Sequence, residues 1–128
     1  MTSANQCLVD IGGARRIFAP LGGAAIELAA FAFLDRQHRV IAIRQGEAGH
    51  VSAVDLSLRL VAREALSLEA AGVVMAHNHP SADGRPSESD IAVTRSAAQV
   101  FGRLDVTLVD HVIVTRTGLT SFRALGLL

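Results

Sequence analysis

The chain of 128 residues has no tryptophan, no tyrosine and a single cysteine. Cys7 therefore has no partner within the chain, which excludes an internal disulfide and a thiolate metal cage; any bound metal must be held by histidine and carboxylate. Five phenylalanines are the whole aromatic complement, a poor supply for a platform on which nucleic-acid bases stack. Lysine is missing as well. All twelve basic residues are arginine, spread from Arg15 to Arg123 without a block and balanced by twelve acidic residues. Schiff-base chemistry is thereby excluded, and a generic grip on a phosphate backbone, which shows as a basic stripe, is not supported by the charge. No uncharged apolar run approaches the ~18 residues of a membrane span. The opening MTSANQC lacks the basic and apolar regions of a signal peptide. The expectation is a soluble cytoplasmic protein with no membrane partner.

What is present is a half-apolar chain of the size of one ordinary domain. No internal repeat or low-complexity linker divides it, so residues 1–128 are expected to form one domain, with 1–12 as a loose lead-in. ARRIFAPL predicts a short helix, limited by Pro20. IELAAFAFLD, with Phe31 and Phe33 on one side of a period-2 pattern, predicts a strand; DRQH supplies turn residues and RVIAIR a second strand, together an antiparallel hairpin. QGEAGH is expected as a polar loop. Asp55 is expected to cap a helix whose apolar face is Leu58, Val61, Ala62, Ala65 and Leu68. VVMA then predicts a short buried strand ending at His77, and Ser87 begins a second helix to about Gly102, with Ile91, Thr94, Ala98 and Phe101 inward. DVTLVDHVIVT predicts a long strand, and SFRALGLL a short helix or tail. This alternation predicts an α/β fold, an α-β-α sandwich around a mixed sheet.

Between the buried strand and the second helix lies HNHPSADGRPSESD, residues 77 to 90. Residues i and i+2 of an extended strand share a face, so His77 and His79 present both imidazoles to one spot. Asp90, in the first turn of the next helix, can face back towards them. Two imidazoles and one carboxylate form a three-ligand set with a fourth tetrahedral position left for water, the arrangement of a catalytic rather than a closed structural zinc. The plainer alternative stands beside it: Ser87 to Asp90 also reads as an S-x-x-D helix start, and an isolated H-x-H is mostly chance. The two readings are compatible, since one helix start can serve as both cap and ligand.

The conjunction H-x-H-x7-S-x2-D is the signature of the JAMM (MPN+) metalloprotease fold, and HNHPSADGRPSESD followed by DIAVT resembles the bacterial RadC family. IELAAFAFLD resembles that family's E-x-F-x-x-x-x-L-D strand, VTLVDHVIV its DHIIV strand and SFRALGLL its S-F-x-E-x-G-L-L ending, so the resemblance runs from about Glu27 to the C-terminus. There are two departures. Pro80-Ser81-Ala82-Asp83 stands where the family reads PSGD, and Leu58-Arg59-Leu60 where it reads P-R-E. The family's N-terminal helix-hairpin-helix region has no expected counterpart in these residues.

The resemblance implies a JAMM/MPN, cytidine deaminase-like architecture with one zinc ion per chain held by His77, His79 and Asp90. It further implies Glu27 as the general base and later acid, Ser87 as a donor to the oxyanion, and hydrolysis of a peptide or isopeptide bond in a protein or peptide substrate. A different use also follows from the family: a non-catalytic or metal-bearing partner module in DNA repair or recombination, an association that the neutral charge does not support. For Glu27 the plain alternative is an exposed strand edge; for Ser87 it is the cap. Other metal chemistries are missing their residues: a zinc deaminase needs P-C-x-x-C, and H-E-x-x-H is absent. His38 and His50 are expected in solvent, His111 as a hydrogen-bonded interior residue near the site, and Arg85 exposed at a loop tip. Oligomeric state is not legible.

Overall fold

The computed structural model describes residues 11–47, 51–81 and 83–128. Helix α1 (Ile11–Phe18) runs into a 3₁₀ turn (Ala19–Gly23), then come β1 (Leu28–Leu34), β2 (Val40–Glu47), α2 (Val51–Ser67), β3 (Gly72–Asn78), α3 (Glu88–Gly102), β4 (Thr107–Val114) and β5 (Leu119–Ser121). The sheet order is β2-β1-β3-β4-β5. Only β3 and β4 are parallel; β1 is antiparallel to both β2 and β3, and β5 to β4. The sheet is therefore mixed.

The apolar pattern explains the order. LAAFAFL and VVMA are apolar at every position, which suits strands covered on both faces. On one face Ala30, Ala32, Leu34, Val74, Ala76, Val112 and Val114 pack under Ala14, Phe18 and Leu21. On the other, Phe31, Phe33, Val73, Met75 and Leu108 pack under Leu58, Val61 and Ala65 of α2 and Ala97 and Phe101 of α3. Each fully buried phenylalanine, Phe33 and Phe101 among them, contributes about 1.5–3 kcal/mol of burial. The layers are α1, sheet, and α2 with α3, as the predicted sandwich requires.

The hairpin, both helix faces and the long fourth strand lie where the periodicity predicts. Four expectations change. Asp55 is not a cap, because α2 already begins at Val51 and places it within the helix. Gln45, Gly46 and Glu47 belong to β2 instead of a loop, paired with Ala30, Ala29 and Leu28. A short strand, β5, precedes the C-terminal turns, where a helix or tail was expected; its two outer pairings, Val112 with Ser121 and Val114 with Leu119, extend the sheet. The lead-in ends earlier than residue 12, since Ile11 opens α1. Residues 1–10 and His50 lie outside the described residues. His38 sits in the β1–β2 turn with φ 61°, where Asp35 receives its backbone N–H, and is partly buried.

Candidate metal centre

β3 ends where its neighbours' ends also lie, at the C-terminal edge of the parallel β3–β4 pair, the edge at which open α/β sheets leave a crevice. His77 is the penultimate residue of β3, and His79 stands just beyond the strand's end. The loop returns to α3, whose first turn is shaped by a reciprocal capping box. Ser87 Oγ accepts from the Asp90 amide at 3.0 Å, and Asp90 Oδ2 accepts from the Ser87 amide at 2.8 Å. The box turns the Asp90 carboxylate towards the strand end. Cap and candidate ligand are the same carboxylate.

One ligand atom each from His77, His79 and Asp90 lies within 4.8 Å of the others. His77 Nε2 is 3.0 Å from His79 Nε2, Asp90 Oδ1 is 3.3 Å from His77 Nε2, and Asp90 Oδ2 is 3.2 Å from His79 Nε2. Donors bound tetrahedrally at about 2.0–2.1 Å from one ion stand about 3.3 Å apart. The spacing fits a shared cation. Burial opposes ionisation of Asp90, yet the adjacent His77 imidazole and the Ser87 amide outweigh it, so its carboxyl is held well below the usual carboxylate range.

The far nitrogens of the two imidazoles are engaged too. His79 Nδ1 lies 2.9 Å from the Asp83 carbonyl oxygen, which can only accept, so Nδ1 carries a proton and the neutral ring presents a bare lone pair at Nε2. His77 Nδ1 lies 2.7 Å from His111 Nε2. His111, 3% exposed, stacks on Phe122 with ring centroids 4.4 Å apart, and its Nδ1 is 2.5 Å from Thr94 Oγ1. Burial pushes the His111 imidazole down to about 3, so it is neutral at physiological pH.

On the exposed side, Asp83 and Arg85 brace the loop. Arg85 donates to Asp83 through its backbone amide at 3.0 Å and through Nε and Nη2 at 2.8–3.1 Å. Those donors hold the Asp83 carboxyl down at about 2. Arg85 is exposed, as expected, but paired. Gly84 lets the loop lie on β5: a Cβ there would stand 2.8 Å from Thr120 Oγ1.

Glu27 immediately precedes β1 and is exposed. Ala29 pairs with His77, so Glu27, two residues before Ala29, lies at the same end of the sheet as His79. It is not one of the three clustered ligands. Ser87 lies on the rim as the cap; its oxygen accepts from Asp90, and its own proton remains for donation, with Ser89 Oγ 3.0 Å away.

Two residues of the site were not singled out in the sequence for any part in it. Asn78, between the histidines, faces the opposite side and is fully buried; its Oδ1 accepts from the Leu28 amide at 2.6 Å and its Nδ2 donates to the Ile26 carbonyl at 2.9 Å. It thereby ties down the backbone on both sides of Glu27. Its signal was available: the alternation that aligns the histidines sends Asn78 into the core, where an amide needs partners. Thr94, expected only as an inward helix residue, lies at i+4 from Asp90 on the same helix face, and its hydroxyl donates to the Asp90 carbonyl at 2.7 Å.

Residues 14–127 match the family model of the RadC-like JAB domain. Among curated proteins, a UPF0758 protein of Polaromonas sp. (strain JS666 / ATCC BAA-500) is 43% identical over 108 residues, 84% of this chain and 48% of that protein. A UPF0758 protein of Neisseria gonorrhoeae (strain NCCP11945) is 39% identical over the same shares. The chain thus spans about half the length of the curated relatives it matches. Among the described residues no helix is long and apolar enough to cross a membrane.

Proposed function

The chain belongs to the RadC-like JAB domain family, and on that premise we propose that it is a zinc-dependent hydrolase of peptide or isopeptide bonds. The observation that carries this reading is the convergence of His77, His79 and Asp90 on one point at donor spacings of 3.0–3.3 Å. A zinc ion held there supplies a Lewis acid that polarises a carbonyl and brings the pKa of water from about 15.7 towards about 7.

The chain's own residues supply the rest. Glu27, two residues before the Ala29–His77 pair at the same end of the sheet, takes the proton from the attacking water and returns it to the leaving nitrogen. Ser87, whose proton the cap leaves free, donates to the oxyanion that develops on the substrate carbonyl. Asn78 keeps Glu27 in place by holding Leu28 and Ile26.

The test begins with metal content per chain for the wild type and His79→Ala, followed by a search over peptide and isopeptide substrates with Glu27→Gln as control. Stoichiometric zinc lost in His79→Ala, and cleavage lost in Glu27→Gln, is the expected result. A wild type that retains no metal after zinc is supplied and excess removed overturns the reading. Ser87 separates its two roles by substitution: Ser87→Asp preserves a cap but not a hydroxyl proton, so it should lose on the order of 10²- to 10³-fold in rate, as Ser87→Ala should.

A further inference from the structure

We propose that Thr94 and His111 are positioning residues that lock His77 in the tautomer with a bare Nε2, and that Asp90's own backbone carbonyl sets the direction of this lock. The inference rests on the reading of His77 and Asp90 as metal ligands. The Asp90 carbonyl oxygen has no proton to give, so the Thr94 hydroxyl 2.7 Å away donates to it. With that proton committed, Thr94 Oγ1 can only accept from His111 Nδ1 at 2.5 Å. A neutral imidazole has one N–H, so His111 Nε2 is bare and accepts from His77 Nδ1 at 2.7 Å. His77 then has no proton on Nε2, the atom that faces Asp90 and His79.

The opposite assignment uses the same three protons. Thr94 donates to His111 Nδ1, His111 Nε2 donates to His77 Nδ1, and His77 Nε2 carries a proton where a ligand lone pair is needed. No proton enters or leaves in passing between the two. The opposite assignment surrenders the Thr94 to Asp90 hydrogen bond at 2.7 Å and gains in exchange only the longer contacts of His77 Nε2 to His79 Nε2 at 3.0 Å and Asp90 Oδ1 at 3.3 Å, so the shorter bond within α3 biases the choice. One residue of that helix thus contributes twice, its carboxylate as a ligand and its carbonyl as the fixed end of the chain that prepares another ligand. The stack of His111 on Phe122, 18° from coplanar, holds the ring plane in the middle of the chain.

Two readouts test this without any substrate. Long-range proton–nitrogen correlation spectra of metal-free protein report the tautomer of His77 directly. Competition against a chromophoric chelator reports affinity for zinc or cobalt. The wild type should show His77 protonated at Nδ1. Thr94→Val, nearly isosteric, should move His77 towards the Nε2–H form and weaken metal binding about 10- to 100-fold, the usual cost of losing a partner that orients a ligand. Thr94→Ser should restore both. His111→Gln, which can still offer an acceptor to His77 Nδ1, should bind metal more tightly than His111→Leu. Metal-free wild type with His77 protonated at Nε2 overturns the inference, as does Thr94→Val with unchanged tautomer and affinity. If Thr94→Val does not fold, the wild-type tautomer still decides. Failure of the wild type to bind metal refutes the metal reading and, with it, the preparation of a ligand; a metal-binding wild type with His77 protonated at Nε2 refutes the lock alone.

Discussion

His77 and His79 sit two residues apart and present the same atom to the same point, yet the protein holds them by different means. His77 is oriented from the interior, by the His111 ring of β4 and, behind it, Thr94 of α3. His79 is oriented from the surface, by the carbonyl of Asp83 in a loop whose brace is the exposed Arg85–Asp83 pair, with side chains 88% and 50% accessible. One wall of the site is built from buried, mutually determined hydrogen bonds, which are costly to leave unmade. The other rests on contacts that water can replace. A site with one rigid and one replaceable wall can hold an ion in fixed geometry while its rim changes.

The largest expected effect shows both the likeness and the difference. His77→Ala and His79→Ala should each abolish stoichiometric metal retention, but only His77→Ala should also lower the melting temperature of the metal-free protein. It leaves the buried His111 Nε2 without a partner, a loss of about 1–3 kcal/mol. Equal melting temperatures for the two variants would break the comparison. Asp90→Ala comes next: it should lose the metal and also the capping box, at about 0.5–2 kcal/mol of stability by thermal or denaturant unfolding.

Acid should act on the interior wall first. His111 is held at about 3 by burial against an ordinary 6.5, so between those values the unfolded chain binds a proton that the folded chain refuses. This costs nothing well above pH 6.5, and stability falls as pH drops from there towards 3. Asp90 and Asp83 are held below the ordinary 3.8, so their contributions persist until the pH falls below that value. Melting curves of metal-free protein from about pH 7.5 to about pH 4.5 should therefore slope downward, and His111→Gln should flatten the slope. An unchanged slope would assign the acid sensitivity elsewhere.

The smallest effect is expected at the surface wall. Asp83→Ala or Arg85→Ala should change metal affinity less than about fivefold by the same chelator competition, because exposed ion pairs contribute little. A larger loss would mean that the loop, too, is a rigid wall.

Much of this site was legible before any fold was known. The i, i+2 spacing of the histidines and the S-x-x-D helix start are local patterns, and the structure brings His77, His79 and Asp90 together as the spacing predicts. Both readings of Ser87-Glu88-Ser89-Asp90 are realised in one geometry: the capping box exists, and the carboxylate it orients faces the imidazoles. Legibility failed where a local rule met a competing context. Asp55 resembled a cap, but α2 begins before it. Gln45 to Glu47 read as a polar loop, since an edge strand with one neighbour needs no apolar face to continue pairing.

Sequence alone determined the layers, the strand that carries the histidines and the helix start that carries Asp90, because periodicity and capping act within a few residues of themselves. Tertiary structure alone decided which partners orient those side chains. His77 meets His111 from 34 positions away, His111 meets Thr94 from 17, and Asn78 meets Leu28 from 50. Such pairings come from parallel and antiparallel registers closing around one core, and no spacing along the chain encodes them.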